Sequence, residues 1–263
     1  MQKHLVVLFS AGMVFMAAAM AQAPPDQTDT AAQENAARAL RILRNACDQL
    51  AGAKSVRVTG EGSYEQINPE GIRMELASRR TTTLQRPDRV HVDTDGDTGH
   101  RTVVFNRGHL GVMSRTNKVY GEATLAPTLD EAIDQLANQY GMILPTADLL
   151  LSDPYDALTG AVGLAAHLGE HAAAGKPCDH LAFQTENVDF QVWVEQARPP
   201  VIRKLVIAFK NEPGVPQFRA LFHKWEFDLA PPAGTFDFKP PQDFTKVEIE
   251  PVKDEASNAR DEE

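Results

Sequence analysis

Three short runs carry residue types that do chemistry when geometry allows it. His167-Leu168-Gly169-Glu170-His171 has the H-x-x-E-H order of one class of zinc peptidase. Zinc there needs both imidazoles on one side of a helix, with the carboxylate at hand as base. Gly169 lies inside the run and Gly163 and Gly175 lie close by, so the neighbourhood reads as strand and turn. On a strand, His167 and His171 share a face and Glu170 points away from it. Asp93-Thr94-Asp95-Gly96-Asp97 starts like a calcium loop, but the glycine and glutamate required at the sixth and twelfth positions are Thr98 and Val104 here. It reads as a solvated turn between two strands. Cys178-Asp179-His180 places a thiol near an imidazole, roughly 6–7 Å away along a strand, beyond direct proton transfer. No nucleophile elbow, Walker loop or dinucleotide fingerprint occurs. The sequence therefore predicts no catalytic residue, no metal and no cofactor.

The elements around these runs follow from periodicity. Residues 31–50 read as an alanine-rich helix with Leu40, Leu43, Cys47 and Leu50 on one face and Gly52 as its stop. From Lys54 the period changes to two, and Asn68-Pro69-Glu70-Gly71 turns a long hairpin. Short strands follow over 90–92, 102–105, 109–113 and 118–120, with 93–99 expected as a loop. Thr128 with Glu131 makes a capping box for a helix through Tyr140 that Gly141 ends. Residues 142–151 and 153–158 add short helical segments. Strands then return over 161–172, 178–185, 188–195, 201–210 and 217–227. Phe190, Val192 and Val194 alternate with polar partners, the mark of a sheet with one face covered.

Compartment is written in the first residues. Lys3 and His4 precede an apolar run from Leu5 to Met20, and small residues follow at Ala19, Ala21 and Ala23. Residues 1–21 are expected as a cleavable signal peptide, 22–30 as a linker, 31–245 as the folded domain and 246–263 as an acidic disordered tail. No later apolar run reaches spanning length, so no membrane span is expected once the signal is removed. The formal charge of −10 disfavours nucleic acid as a partner. Cys47 and Cys178 are the two cysteines of the 263-residue chain. In an oxidising compartment they form either one disulfide or two buried thiols.

Helix, strands, helices, strands is the order of an α+β fold rather than a doubly wound parallel sheet. A large twisted antiparallel sheet must curl or be covered, which predicts an incomplete antiparallel β-barrel with helices covering its concave face. Aromatic and aliphatic residues of cover and sheet could then line a cavity for an apolar guest. Leu136, Tyr140, Leu149, Leu150 and Tyr155 are the candidates from the cover, and Phe190 and Trp193 those from the strands.

Several stretches carry a resemblance: Arg86-Pro87-Asp88, Gly99-His100-Arg101, LPTADLLLSDPYDAL from Leu144, KPCDHLAF from Lys176, VDFQVWVE from Val188 and RKLVIAFKNEPGVPQF from Arg203. They resemble an uncharacterised bacterial family of predicted periplasmic proteins, domain of unknown function 2092. That family is similar in fold to the LolA/LolB lipoprotein carriers, an unclosed antiparallel barrel with an apolar cavity and a helical lid. The resemblance implies a periplasmic location and brings no catalytic residue. It adds nothing for a Cys47–Cys178 disulfide, because Cys47 is outside the matching pattern. The expected function is non-enzymatic binding of a lipid, an acyl chain or another apolar ligand. The alternative is an envelope-sensing or protein-binding module with no small-molecule ligand.

Overall fold

The structure, a computed structural model, describes residues 27–142 and 144–251. The expected signal peptide and most of the expected acidic tail lie outside the described residues. Helix α1 (Gln27–Gly52) leads into six strands: β1 (Ser55–Ile67), β2 (Arg73–Gln85), β3 (Arg89–Gly96), β4 (Arg101–Asn106), β5 (His109–Ser114) and β6 (Val119–Thr124). Helix α2 (Leu129–Tyr140), a 3-10 turn (Ala147–Leu150) and helix α3 (Pro154–Thr159) interrupt the strands. Five more follow, β7 (Leu164–Ala173), β8 (Lys176–Gln184), β9 (Val188–Glu195), β10 (Ile202–Phe209) and β11 (Gln217–Phe227), then the two-residue β12 (Thr245–Lys246).

All twelve strands join one sheet in the order β12-β6-β5-β4-β3-β2-β1-β11-β10-β9-β8-β7. Two antiparallel meanders, β1–β6 and β7–β11, are stitched together where β1 pairs with β11. The sheet does not close, because β7 and β12 end it on opposite sides. The stitch contains a bulge between Thr59 and Gly60. Gly60 is required there: a Cβ would stand 2.4 Å from the Leu221 carbonyl oxygen. Trp225 and Phe227, within the stitch on β11 opposite Val58 and Val56, pack against the buried clusters of both meanders. The Trp225 indole donates to the Ile202 carbonyl at 2.8 Å.

Each meander has its own core. Under β7–β11, α1 contributes Ala39, Leu43, Ala46, Cys47 and Leu50 to a cluster with Leu181, Phe183, Phe190, Val192 and Leu205. Under β1–β6, α2 contributes Leu129, Ala132 and Leu136 against Leu84, Val90, Phe105 and Leu110. Thr128 caps the helix as its sequence predicts: its Oγ1 accepts from the Glu131 amide at 3.4 Å, while Glu131 Oε2 returns to the Thr128 hydroxyl at 2.7 Å rather than to the Thr128 amide of a full capping box.

Three expectations change. The loop expected at 93–99 is strand through Gly96, because Asp93, Thr94 and Asp95 pair with Thr81, Arg80 and Arg79. The linker is shorter than expected, with Gln27 already in α1. The tail begins later than Lys246: β12 pairs with β6, the Val247 amide donates to the Tyr120 carbonyl at 2.8 Å, and Ile249 fills the space over Gly121. No helix among the described residues is long and apolar enough to cross a membrane.

Candidate functional site

A hollow of about 260 Å³ lies between the β1–β5 meander with β11 on one side and α2 with the 144–150 segment on the other. Strand alternation builds its sheet wall. Val58 on β1, Val92 on β3, Val103 on β4, Leu110 on β5 and Phe218 on β11 all face it, and their odd-numbered or even-numbered neighbours turn away. Leu136 and Ala132 of α2, with Leu149 and Leu150 of the 3-10 turn, form the opposite wall. Apolar side chains dominate and few polar groups converge, the usual make-up of a small-molecule pocket. A second depression of about 860 Å³ beside the 228–237 segment is broad and polar-walled, with Lys54, Gln85, Arg89 and Asn106 among its lining. Leu229, Pro231, Pro232 and Phe236 line it too, so its wall mixes apolar patches with a larger polar part.

The 144–152 segment is tied down at two points. Arg86 donates from Nη1 to the Leu150 carbonyl at 2.9 Å and from Nη2 to the Leu50 carbonyl at 3.3 Å, so it joins this segment to the end of α1. Asp130 on α2 accepts from the Ser152 amide at 3.1 Å and from the Ser152 hydroxyl. Burial lowers the affinity of the Arg86 guanidinium for its proton, and the Asp130 charge opposes that. Between these ties, Thr146 adopts φ 77°, a left-handed conformation that disfavours a β-branched residue.

The structure brings three of the seven predicted ligand residues together: Leu136, Leu149 and Leu150 line the hollow. The other four lie elsewhere. Tyr140 packs at the end of α2 against the cluster under β1–β6. Tyr155 packs on the opposite cluster, with the Arg44 guanidinium 3.7 Å from its ring centre. Phe190 is buried and stacked on Phe183 at 4.8 Å. Trp193 faces away from α1, stacked on His180 at 3.9 Å and with Lys204 Nζ over its ring at 4.4 Å. These four were assigned by residue type; which meander holds the void is a packing outcome that periodicity does not carry. Sequence reasoning missed Arg80, Thr94 and Arg101, which line the hollow as well. The signal was present in the register of 78–105, hidden by reading 93–99 as a loop.

The chemistry-bearing runs resolve into structural roles. A bulge between His167 and Gly169, with Gly169 at φ 104°, shifts the register of β7. It sends the two histidines to opposite faces, contrary to the shared face expected from simple alternation. His167 Nε2 meets Asp179 Oδ1 at 2.7 Å, whereas His171 Nδ1 meets His180 Nδ1 at 2.9 Å, and Asp179 and His180 are successive residues of β8. Among the described residues no group of histidine, cysteine and carboxylate side chains converges as a metal site. Asp93 accepts from the Thr102 hydroxyl at 2.7 Å and Asp97 from the Ala77 amide at 2.8 Å, so both serve the hairpins. Cys47 and Cys178 are free, buried thiols in separate clusters, and the disulfide alternative is not formed. Burial, with Asp48 and Asp153 nearby, pushes the Cys47 thiol up to about 12. Burial also raises Cys178, so neither sulfur is poised as a thiolate.

Residues 39–250 match the family described as predicted periplasmic protein, DUF2092. The chain belongs to that family. No curated protein matches the sequence. Solved structures similar to this DUF2092 chain include one from the Pseudomonas aeruginosa MucA/MucB complex, at 16% identity over 77% of this chain and 61% of that one, with a TM-score of 0.41. The chain thus spans less than two thirds of that protein. Mycobacterium tuberculosis lipoprotein LppX is similar at 11% identity over 72% of this chain and 95% of that chain, TM-score 0.42. A LolA superfamily protein from Nitrosomonas europaea is similar at 10% identity over 76% and 97%, TM-score 0.38.

Proposed function

We propose that this DUF2092 protein is exported by a signal peptide cleaved after Ala21 and binds an apolar molecule, a lipid or an acyl chain, without transforming it. The observation that carries the reading is the hollow over β1–β5, walled by Val58, Val103, Phe218, Leu136 and Leu149. At about 260 Å³ it sits just below the ~300–1,000 Å³ of drug-sized pockets. That size suits one acyl chain better than a multi-chain lipid. Helix α2 and the 144–151 segment act as its cover over the concave side of the sheet. Each buried methylene contributes about 0.8 kcal/mol, so a chain of moderate length binds usefully in a site of this size. The absence of catalysis is consistent with the side-chain roles found for His167, His171, Cys178 and the Asp93–Asp97 run.

Native mass spectrometry with solvent extraction of the purified protein tests this. Co-purifying lipid, and protection against heat by added lipid, are the expected results. A clean apo spectrum with no thermal protection overturns the reading and leaves the sensing or protein-binding alternative.

A further inference from the structure

The cavity face of β2, β3 and β4 is arranged in three ranks of cross-strand neighbours. Leu84, Val90 and Phe105 form the first, and all three are buried. Thr82, Val92 and Val103 form the second. Arg80, Thr94 and Arg101 form the third, at the rim. Directly paired residues share a face, and each rank lies roughly 6–7 Å from the next along the strands. The wall therefore passes from aliphatic and aromatic to doubly cationic within two steps.

The two rim arginines are unusual in this molecule. Acids outnumber bases, 36 to 26, and arginines near the same hairpins have carboxylates: Arg79 meets Glu61, and Arg73 and Arg219 meet Glu65. Among the described residues, neither Arg80 nor Arg101 has an ion pair or a side-chain hydrogen bond. Glu61 also lines the hollow, but its carboxylate is directed to Arg79 and His223. Arg80 is partly buried, and desolvation together with the Arg101 charge lowers its affinity for the proton. Two like charges flanking a hydroxyl at the mouth of an apolar hollow repel each other, and Arg80 loses hydration as well. Among the described residues no carboxylate is paired with either of them.

We infer that the guest is an amphiphile with an anionic headgroup, a carboxylate or a phosphate monoester, held between Arg80 and Arg101 with its chain against Val103, Leu136 and Phe218. The guanidinium forks suit either oxyanion in bidentate fashion, and the Thr94 hydroxyl between them is a further donor. This rests on the binding function proposed above and adds the headgroup chemistry.

Calorimetric titration of the full-length protein with dodecanoate, 1-dodecanol and acetate separates the two claims. Dodecanoate is expected to bind about tenfold more tightly than dodecanol, and acetate far more weakly than either. Arg101→Gln, at an exposed position, should remove most of that preference, weakening dodecanoate by up to about tenfold and dodecanol by far less. Arg80→Lys should retain it in part, whereas Arg80→Gln should not. Equal affinity for dodecanoate and dodecanol overturns the anionic headgroup and leaves apolar binding standing. Loss of binding for both probes overturns apolar binding itself. Acetate binding as tightly as dodecanoate would assign the arginines to a free anion. Displacement of dodecanoate by a synthetic peptide of residues 254–263 would assign them to the chain's own acidic end. Either result overturns the inference.

Discussion

The two halves of the sheet solve the same problem differently. Each is an antiparallel meander with a helix on one face. Under β7–β11 the 26-residue α1 lays a stripe of Ala39, Leu43, Ala46 and Cys47, all at 0–1% exposure, into an aromatic and aliphatic floor. Under β1–β6 the 12-residue α2 buries only Leu129, Ala132 and Leu136. The sheet wall of the hollow includes the small residues Gly60, Gly62, Thr82 and Thr94 among its larger ones, whereas the filled half packs Phe183, Phe190 and Val192 into one cluster with α1. A shorter helix over smaller side chains leaves a void; a longer one over larger side chains fills it. One half is filled and the other is left with a hollow.

Truncation of a leucine in each half is the strongest test of that contrast. Leu43 is fully buried among close neighbours, so Leu43→Ala should cost about 3–5 kcal/mol in urea denaturation. Leu136 already borders empty space, and Leu136→Ala should cost under about 2 kcal/mol, since fewer contacts are lost. Equal costs would break the distinction. Enlargement gives the converse test with a smaller effect. Ala46 and Ala132 are equally buried, at 1% each. Ala46→Phe has no room and should destabilise by about 1–3 kcal/mol. Ala132→Phe projects into the hollow, should cost less than about 1 kcal/mol, and should abolish binding of dodecanoate.

Much of this contrast was legible in the sequence and its decisive part was not. The α1 face, the helix cap at Thr128, the 68–71 turn and the change of period at Lys54 are local patterns, and the chain obeys them. The two-meander order is legible too, since hairpin turns separate consecutive strands. What periodicity cannot carry is which meander is filled. Phe190 and Trp193 have the same alternation whether they face a cavity, a helix or the outer surface, and only the packed partners decide. The bulge at His167–Gly169 was equally hidden. One extra residue reverses every side chain beyond it, and a glycine inside a strand marks such a place without fixing its direction. Arg80 and Arg101 were lost for a different reason: they are cross-strand neighbours through Thr94, and a loop reading of 93–99 removes the strand that connects them.

Acid should act on the halves with opposite sign. On the outer face of the filled half, His180 stacks on Trp193, contacts Gln191 Oε1 through Nε2 at 2.9 Å and meets His171 Nδ1 at 2.9 Å. The network is satisfied when neutral His180 donates from Nε2 and accepts at Nδ1; a second proton places two N–H groups face to face. Burial accordingly lowers its proton affinity, assisted by the charges of His171, Lys204 and His167. A base with a lowered folded pKa stabilises fully above its unfolded value of 6.5 and loses that contribution as pH falls from there toward the folded value. In the cover of the hollow half, burial raises Asp148 above 3.8. That acid costs stability at neutral pH, and the cost disappears as pH falls through the raised value toward 3.8. Hydrogen exchange at pH 7 and pH 5.5 should show β8 and β9 losing protection in the wild type but not in His180→Gln. The 147–150 turn should show no such loss. Parallel changes in both halves would mean that the sheet responds as one unit.

The smallest effect belongs to the free edge of the hollow half. Lys118 Nζ meets Asp243 Oδ2 at 2.8 Å, and the pairing raises the lysine and lowers the aspartate. Both side chains are more than half exposed, at 64% and 60%, where water screens the attraction and two long side chains lose freedom to hold it. What keeps this edge covered is instead the backbone: Thr245 donates to the Lys118 carbonyl at 2.9 Å and Val247 to the Tyr120 carbonyl at 2.8 Å. Asp243→Asn should therefore leave the denaturation midpoint unchanged at any salt concentration. Val247→Pro removes one of those donors and should increase exchange at the β6 amides while β7–β11 stay protected. If Asp243→Asn instead loosened β6, the edge would be held by charge, and the hollow half would depend on ionic strength in a way that its filled counterpart does not.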